Sequence, residues 1–280
     1  MTLQVLHSRA TRCFLAMLVP LICLSGPSAL PAQTGKELVA DACYNARHQL
    51  EHKTLWQSQI ERRTAGHVYL EEEIETVDGP IRRLISVDGH KPSPSERKQD
   101  DDKLRDPVQN PKAQQALKKD STADERKFDD LLRVIPEAFL FEDQGNQGGL
   151  EKIAFRPNPA YIPKTYEERA LHAMSGIILI YLQEKRLVQL SATLAQQVDF
   201  GCGVLGHLNK GGTINLTRVR VSPGIWKTSS SKIDIGGRVV LFKTISKQCE
   251  ETHSGFKLVA SDTDIAQALQ QLGGASLYFQ

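Results

Sequence analysis

The chain has 280 residues, 40% of them hydrophobic and 24% charged, with a formal net charge of +2. That composition excludes a polytopic membrane protein, a collagen-like repeat and a wholly disordered chain. The first 32 residues contain two arginines and no acid. The remainder is therefore electrically balanced and sets up no broad field for nucleic acid or an anionic membrane.

Met1 to Ala32 reads as a secretory leader. His7, Arg9 and Arg12 form a basic start, and Cys13 to Leu24 an apolar core of 12 residues. Such a core is too short for a bilayer, which takes roughly 20. Leu30-Pro31-Ala32 offers a cleavage site before Gln33. The expectation is soluble Sec-type export to a bacterial periplasm or beyond, with a retained anchor or a lipoprotein (through Cys23) as alternatives. Cys43, Cys202 and Cys249 remain after the leader. In an oxidising compartment they allow at most one internal bridge. Cys202–Cys249 is the preferred pair, and three buried thiols the other reading. Without C-x-x-C spacing they make a poor zinc site.

Glu37 to His52 has helical spacing, with Leu38, Ala42, Ala46 and Leu50 on one side, and Thr34 followed by Glu37 supplies its cap. The period then changes to two. Strands are predicted from Trp56 to Ile60, from Val68 to Ile74 and, after Asp78-Gly79, from Ile81 to Val87. Lys91 to Lys127 is rich in Lys, Asp, Gln and Ala and interrupted by Pro92, Pro94, Pro107 and Pro111. It reads as a solvated polar insertion with helical pieces such as Ala113 to Lys119. Phe128 to Ile135 is a short amphipathic helix stopped by Pro136.

Strands resume at Phe139 to Phe141 and Ile153 to Phe155, then Gly176 to Leu182 and Arg186 to Phe200. Beyond a loop from Gly201 to Gly212 come Ile214 to Val221, Trp226 to Ile235, Val239 to Ser246 and Glu250 to Val259. Gly236-Gly237 is read as a two-residue hairpin turn. Asp264 to Leu272 forms a closing helix, and residues 273–280 a flexible tail.

In the best-patterned strand Val188, Leu190, Ala192, Leu194, Val198 and Phe200 alternate with Gln189, Ser191, Thr193, Gln197 and Asp199. One face is buried and the other wet, the habit of antiparallel sheets. The fold class that follows is mainly β with helices. Some ten strands in meander order curl under their own twist into a strongly curved half-barrel. The helices are expected on its concave side, and residues 33–272 as a single domain carrying the insertion at about 91–127.

Several motifs invite a chemical reading. His48-Gln49-Leu50-Glu51-His52 matches H-x-x-E-H, in which two imidazoles one helical turn apart hold zinc and the glutamate activates water. A third acidic ligand on another helix would have to come from the insertion, so surface histidines are preferred to a zinc hydrolase. Gly201 to Gly206 spells G-x-G-x-x-G after a strand. A dinucleotide loop needs a helix to begin there and an acid about 20 residues on. Here a β-pattern resumes after Gly212 and Val221 stands at the acid's position, which favours a plain crossover. The runs Glu71-Glu72-Glu73 and Asp100-Asp101-Asp102 are read as solvated faces, although alternation along a strand forces at least one of the glutamates inward or to an edge.

From Glu37 to about Leu272 the order of elements resembles the periplasmic outer-membrane lipoprotein-carrier and lipoprotein-sorting superfamily: an export signal, a helix, then a long antiparallel meander. Phe200 to Gly212 is also similar to a turn in exported proteins of this type. The resemblance implies a non-catalytic carrier or sensor, with an apolar cavity between sheet and helices that takes acyl chains at about 0.8 kcal/mol per buried CH₂. Ile81, Ile85, Leu190, Leu194, Val198 and Phe200 are the candidate lining. The implied partner is a lipid or lipidated protein, with peripheral envelope contact, no nucleic acid, no cofactor and a monomeric state. A purely structural envelope module is the further alternative.

Overall fold

Capping chemistry sets where the helices begin. The structure, a computed structural model, describes residues 33–200, 206–238 and 244–273. Helix α1 (Gly35–Glu51) starts on a reciprocal box in which Thr34 Oγ1 accepts from the Glu37 amide and Glu37 accepts from the Thr34 amide. Helix α5 (Ile265–Gln271) uses the same device with Asp264 and Gln267. Between the two helices lie strands β1 (Trp56–Thr64), β2 (His67–Ile74), β3 (Ile81–Val87), β4 (Phe139–Gln147), β5 (Leu150–Pro157), β6 (Met174–Tyr181) and β7 (Arg186–Leu194). Then follow β8 (Val198–Phe200), β9 (Gly206–Leu208), β10 (Thr213–Ser222), β11 (Ile225–Arg238) and β12 (Thr244–Leu258). The remaining helices are α2 (Pro94–Gln109), α3 (Pro111–Ala138) and α4 (Tyr166–His172).

The twelve strands among the described residues join one antiparallel sheet. Ten run in the order β3-β2-β1-β12-β11-β10-β7-β6-β5-β4, and the short pair β8 and β9 attaches through β11. The sheet is open, with β3 and β4 at its two ends. Most neighbours are hairpins, as a meander requires. Two joints are not: β10 pairs with β7, and β1 pairs with β12 from Trp56 opposite Leu258 to Thr64 opposite Cys249.

Because β3 and β4 are consecutive in the chain yet lie at opposite ends of the sheet, the segment between them must travel from one end to the other. That segment is the polar stretch, and it is helical throughout most of its length. The prolines expected to interrupt it instead start its helices. Pro94 and Pro111 stand in the first turns of α2 and α3, behind the caps Ser93 and Asn110. A proline there gives up only an N–H that has no helical partner anyway. Pro107 and Pro136 sit near the helix ends, and α3 runs through Pro136 to Ala138 instead of stopping before it.

Two apolar clusters hold the fold. The larger places Leu38, Val39, Ala42, Cys43 and Ala46 of α1 against Ile153, Ile178, Ile180, Ala192 and Leu194. Each fully buried Leu, Ile or Val there contributes roughly 1.5–3 kcal/mol. The smaller joins Ile74 and Ile81 of β2 and β3 to Leu104 of α2 and to Ile265, Leu269 and Leu272 at α5.

Gly236 and Gly237 form no turn; both lie inside β11, opposite Ser246 and Ile245. The reason is close approach: a Cβ on Gly237 would stand 2.3 Å from the His207 carbonyl oxygen of β9. Gly176 in β6 is tighter still, its Cβ position falling 1.9 Å from the Ser191 carbonyl oxygen. A glycine in mid-strand marks just such an approach. Gly176→Ala is expected to lower unfolding stability by about 3 kcal/mol through overpacking, read from urea denaturation midpoints against wild type.

Candidate functional site

Of the six apolar residues expected to line a cavity, four gather at the larger apolar cluster and two stand apart from it. Leu194 and Val198 are buried in the larger cluster, with Leu190 and Phe200 packed partly against it. Ile81 belongs to the smaller cluster, and Ile85 is 37% exposed. The open space lies elsewhere. A cleft of about 500 Å³ sits where the C-terminal end of α1, the β2–β3 region and Lys227 of β11 meet the N-terminal half of α3. That volume is within the range of ligand pockets, roughly 300–1,000 Å³. Leu50, Leu117 and Pro80 give it apolar wall, and Glu73, Glu75, Arg82 and Lys227 a charged floor.

The two helices at this cleft are held very differently. Helix α1 buries six residues and adds a row of directional polar contacts at four-residue spacing. Asp41 pairs with Lys185, Asn45 donates to the carbonyls of Glu184 and Lys185, and Gln49 exchanges two hydrogen bonds with the Trp226 backbone. Helix α3 has 28 residues yet fully buries only Leu132 and Ala138. Leu117 and Ile135 pack partly against the two apolar clusters, and the other ties are polar: Gln114 and Lys118 to Asp78, Glu125 to Lys53, Asp129 to Arg47 and Glu137 to Lys36. The exposed pairs among these contribute only about 0.2–1 kcal/mol each, while Arg47–Asp129 is half-buried. Along the cleft, therefore, α1 is a fixed wall and α3 a lightly attached roof. Facing the cleft from α3, Asp120 and Asp124 carry no ion pair among the described residues.

The floor continues into a buried charge network across four strands. Arg82 of β3 reaches Glu73 at 2.6 Å and Glu251 of β12 at 3.1 Å, with Glu71 at 3.8 Å. Arg62 of β1 donates to both oxygens of Glu71 and lies over the Tyr69 ring. His253 sits 3.5 Å from Glu251. Burial alone would lower the pKa of Arg82, but the facing Glu73 and Glu251 carboxylates outweigh it and raise it. Glu71 and Glu73 are thus buried rather than solvated, as is Asp100 of α2 beside Arg83. For Asp100 the cost of burial pushes the carboxyl above its ordinary value. Strand alternation signalled the inward glutamates; nothing in the spacing signalled Asp78, Gln114 or Lys118.

His48 and His52 lie on the exposed side of α1, rings 4.4 Å apart and edge to face, with Glu51 3.3 Å from His48. No group of three or more His, Cys, Asp or Glu among the described residues converges as a metal site would require. Cys43 faces the sheet, and burial pushes its thiol up to about 12, which suppresses the reactive thiolate. Cys249 is half-buried and does not bridge to Cys43; Cys202, and with it the expected pair, lies outside the described residues. So do residues 201–205 of the glycine-rich motif, whose flanking strands β8 and β9 pair antiparallel.

No protein-family profile, curated protein or solved structure matches the chain.

The network fixes a pH response. A hydrogen bond with His253, and next the charge of Arg82, hold Glu251 down to about 2 from its ordinary 4.5, against the opposing effect of burial. A carboxyl depressed by folding stabilises the fold above its unfolded pKa, and that gain is lost as pH falls through its folded pKa. The stability difference between wild type and Glu251→Gln should therefore be flat from about pH 6 to pH 5 and shrink steadily toward pH 2. Chemical denaturation across that interval checks it.

Proposed function

We propose that the protein is an exported, non-catalytic cell-envelope binding protein that takes an amphiphile, a lipid or a lipidated polypeptide, beneath α3. In this reading the leader is removed before Gln33. The sheet is strongly curved into a half-barrel, and α1 and α3 lie on its concave side. The observation that carries the proposal is the roof itself: a 28-residue helix that buries two residues above a cleft of about 500 Å³. With Leu117 and Ile135 only partly buried, the helix leaves room for a ligand to contribute further burial. Each CH₂ removed from water adds about 0.8 kcal/mol, before the cost of immobilising the ligand is subtracted.

The chemistry of the cleft favours an amphiphile over a plain hydrocarbon. Arg82–Glu73 and Lys227–Glu75 face the space as ion pairs, and Leu50 and Leu117 flank them. A molecule with one polar end satisfies such a floor, while a bare alkyl chain would strip water from the charges without replacing its hydrogen bonds.

Native mass spectrometry of protein purified from cells in mild buffer tests the reading. Wild type is expected to carry a lipid-sized adduct. Asp124→Trp, which fills the cleft from its exposed rim, should lose that adduct with an unchanged melting temperature. Absence of any adduct on wild type, or its full retention by the tryptophan variant, rejects the proposal.

A further inference from the structure

We infer that α3 is a gate, jointed at Asn110 and clasped by Asp78, whose release opens the cleft beneath it. The inference rests on the binding reading above and adds to it the way the site is reached.

The joint is a single residue. The Asn110 amide donates to the Asp106 carbonyl at 2.8 Å and so closes α2, while its side-chain oxygen accepts from the Lys112 amide at 3.1 Å and so opens α3. Its backbone is extended, with φ −119° and ψ 103°. Pro111 cannot donate to a preceding turn, so no backbone ladder runs continuously from one helix to the other. Reorienting α3 against α2 therefore requires torsion changes at one terminal residue, the usual makeup of a hinge. At the far end Pro136 removes another helical hydrogen bond within the last turn. The two weak points bracket the roof.

The clasp stands on a rigid post. Thr76 donates its hydroxyl to the Gly79 carbonyl at 2.6 Å and accepts from the Asp78 amide at 3.1 Å. The Val77 amide donates to the Thr263 carbonyl at 3.0 Å, and both threonines are buried. From this post the Asp78 carboxylate accepts from Gln114 at 2.7 Å and from Lys118 at 3.0 Å. Those two groups are one helical turn apart on α3. Gly79, at φ +123°, brings the turn close enough that a Cβ there would stand 3.1 Å from Ser121 Cβ. The Asp78 carboxylate thus supplies the polar hold on the N-terminal half of the roof, beside the partly buried Leu117 on the smaller apolar cluster. Beyond it the next polar tie along the cleft is the Glu125–Lys53 pair, whose side chains are 42% and 40% exposed.

Hydrogen–deuterium exchange on the whole ligand-free protein tests the gate separately from the cargo. In Asp78→Ala the amides of residues 114–126 should exchange at least tenfold faster than in wild type, while those of residues 39–46 in α1 keep their rates. Asp78→Asn, which keeps an oxygen to accept from Gln114 but loses the negative charge that pairs with Lys118, should give a smaller rise in the same segment. Unchanged exchange in α3, or an equal rise in α1 from general destabilisation in both variants, overturns the gate. Because this readout needs no lipid, a gate without an adduct defeats only the binding reading, and an adduct without a gate defeats only this inference.

Discussion

The pairing of β1 with β12 is the constraint on which the remaining architecture depends. It places the first three strands beside the last one and so leaves β3 at one end of the sheet, with β4 at the other. A chain that must proceed from β3 to β4 then has no short route. It crosses through α2 and α3, which enter the core only through a few side chains such as Leu104, Leu132 and Ala138, because α1 already packs on the apolar residues of β5, β6 and β7. The polar composition of residues 91–127 follows from that position. Lysines, aspartates and glutamines suit a bridge that touches the molecule along its rim and faces water elsewhere.

The same pairing assembles the buried charges. Arg62 faces Glu251 across β1 and β12, and Glu73 faces Arg82 across β2 and β3. Isolated, any of these groups would be costly to bury; together each finds a partner of opposite sign within hydrogen-bonding reach. The half of the sheet under α1 is apolar and the half near the cleft is ionic, so the molecule presents two chemically different surfaces to anything seated between them. The proposed amphiphile would meet both.

Local signals in the sequence were legible where the controlling interaction is local. Thr34 and Glu37 announced α1, alternation announced most strands, and the Glu71–Glu73 run announced an inward acid. What escaped was non-local. Nothing near Trp56 indicates that Leu258 will lie opposite it, and without that pairing neither the route of α2 and α3 nor the cleft can be derived. Pro94 and Pro111 look like breaks because proline stops a helix from within, yet behind Ser93 and Asn110 they start one. Gly236 and Gly237 were read as a turn because the pair favours one, yet β9 presses against that point and no side chain fits. The alternating apolar residues from Leu190 to Phe200 do face the interior, where they share one cluster with residues of α1.

Whether a ligand occupies the space between α3 and the floor is open to direct observation. Amide spectra recorded during titration with a nitroxide-labelled fatty acid report which residues approach it. Broadening concentrated at residues 49–54, 73–82 and 117–125 is the predicted pattern. Broadening confined to the water-facing side of β7, or none at saturating lipid, would contradict the account.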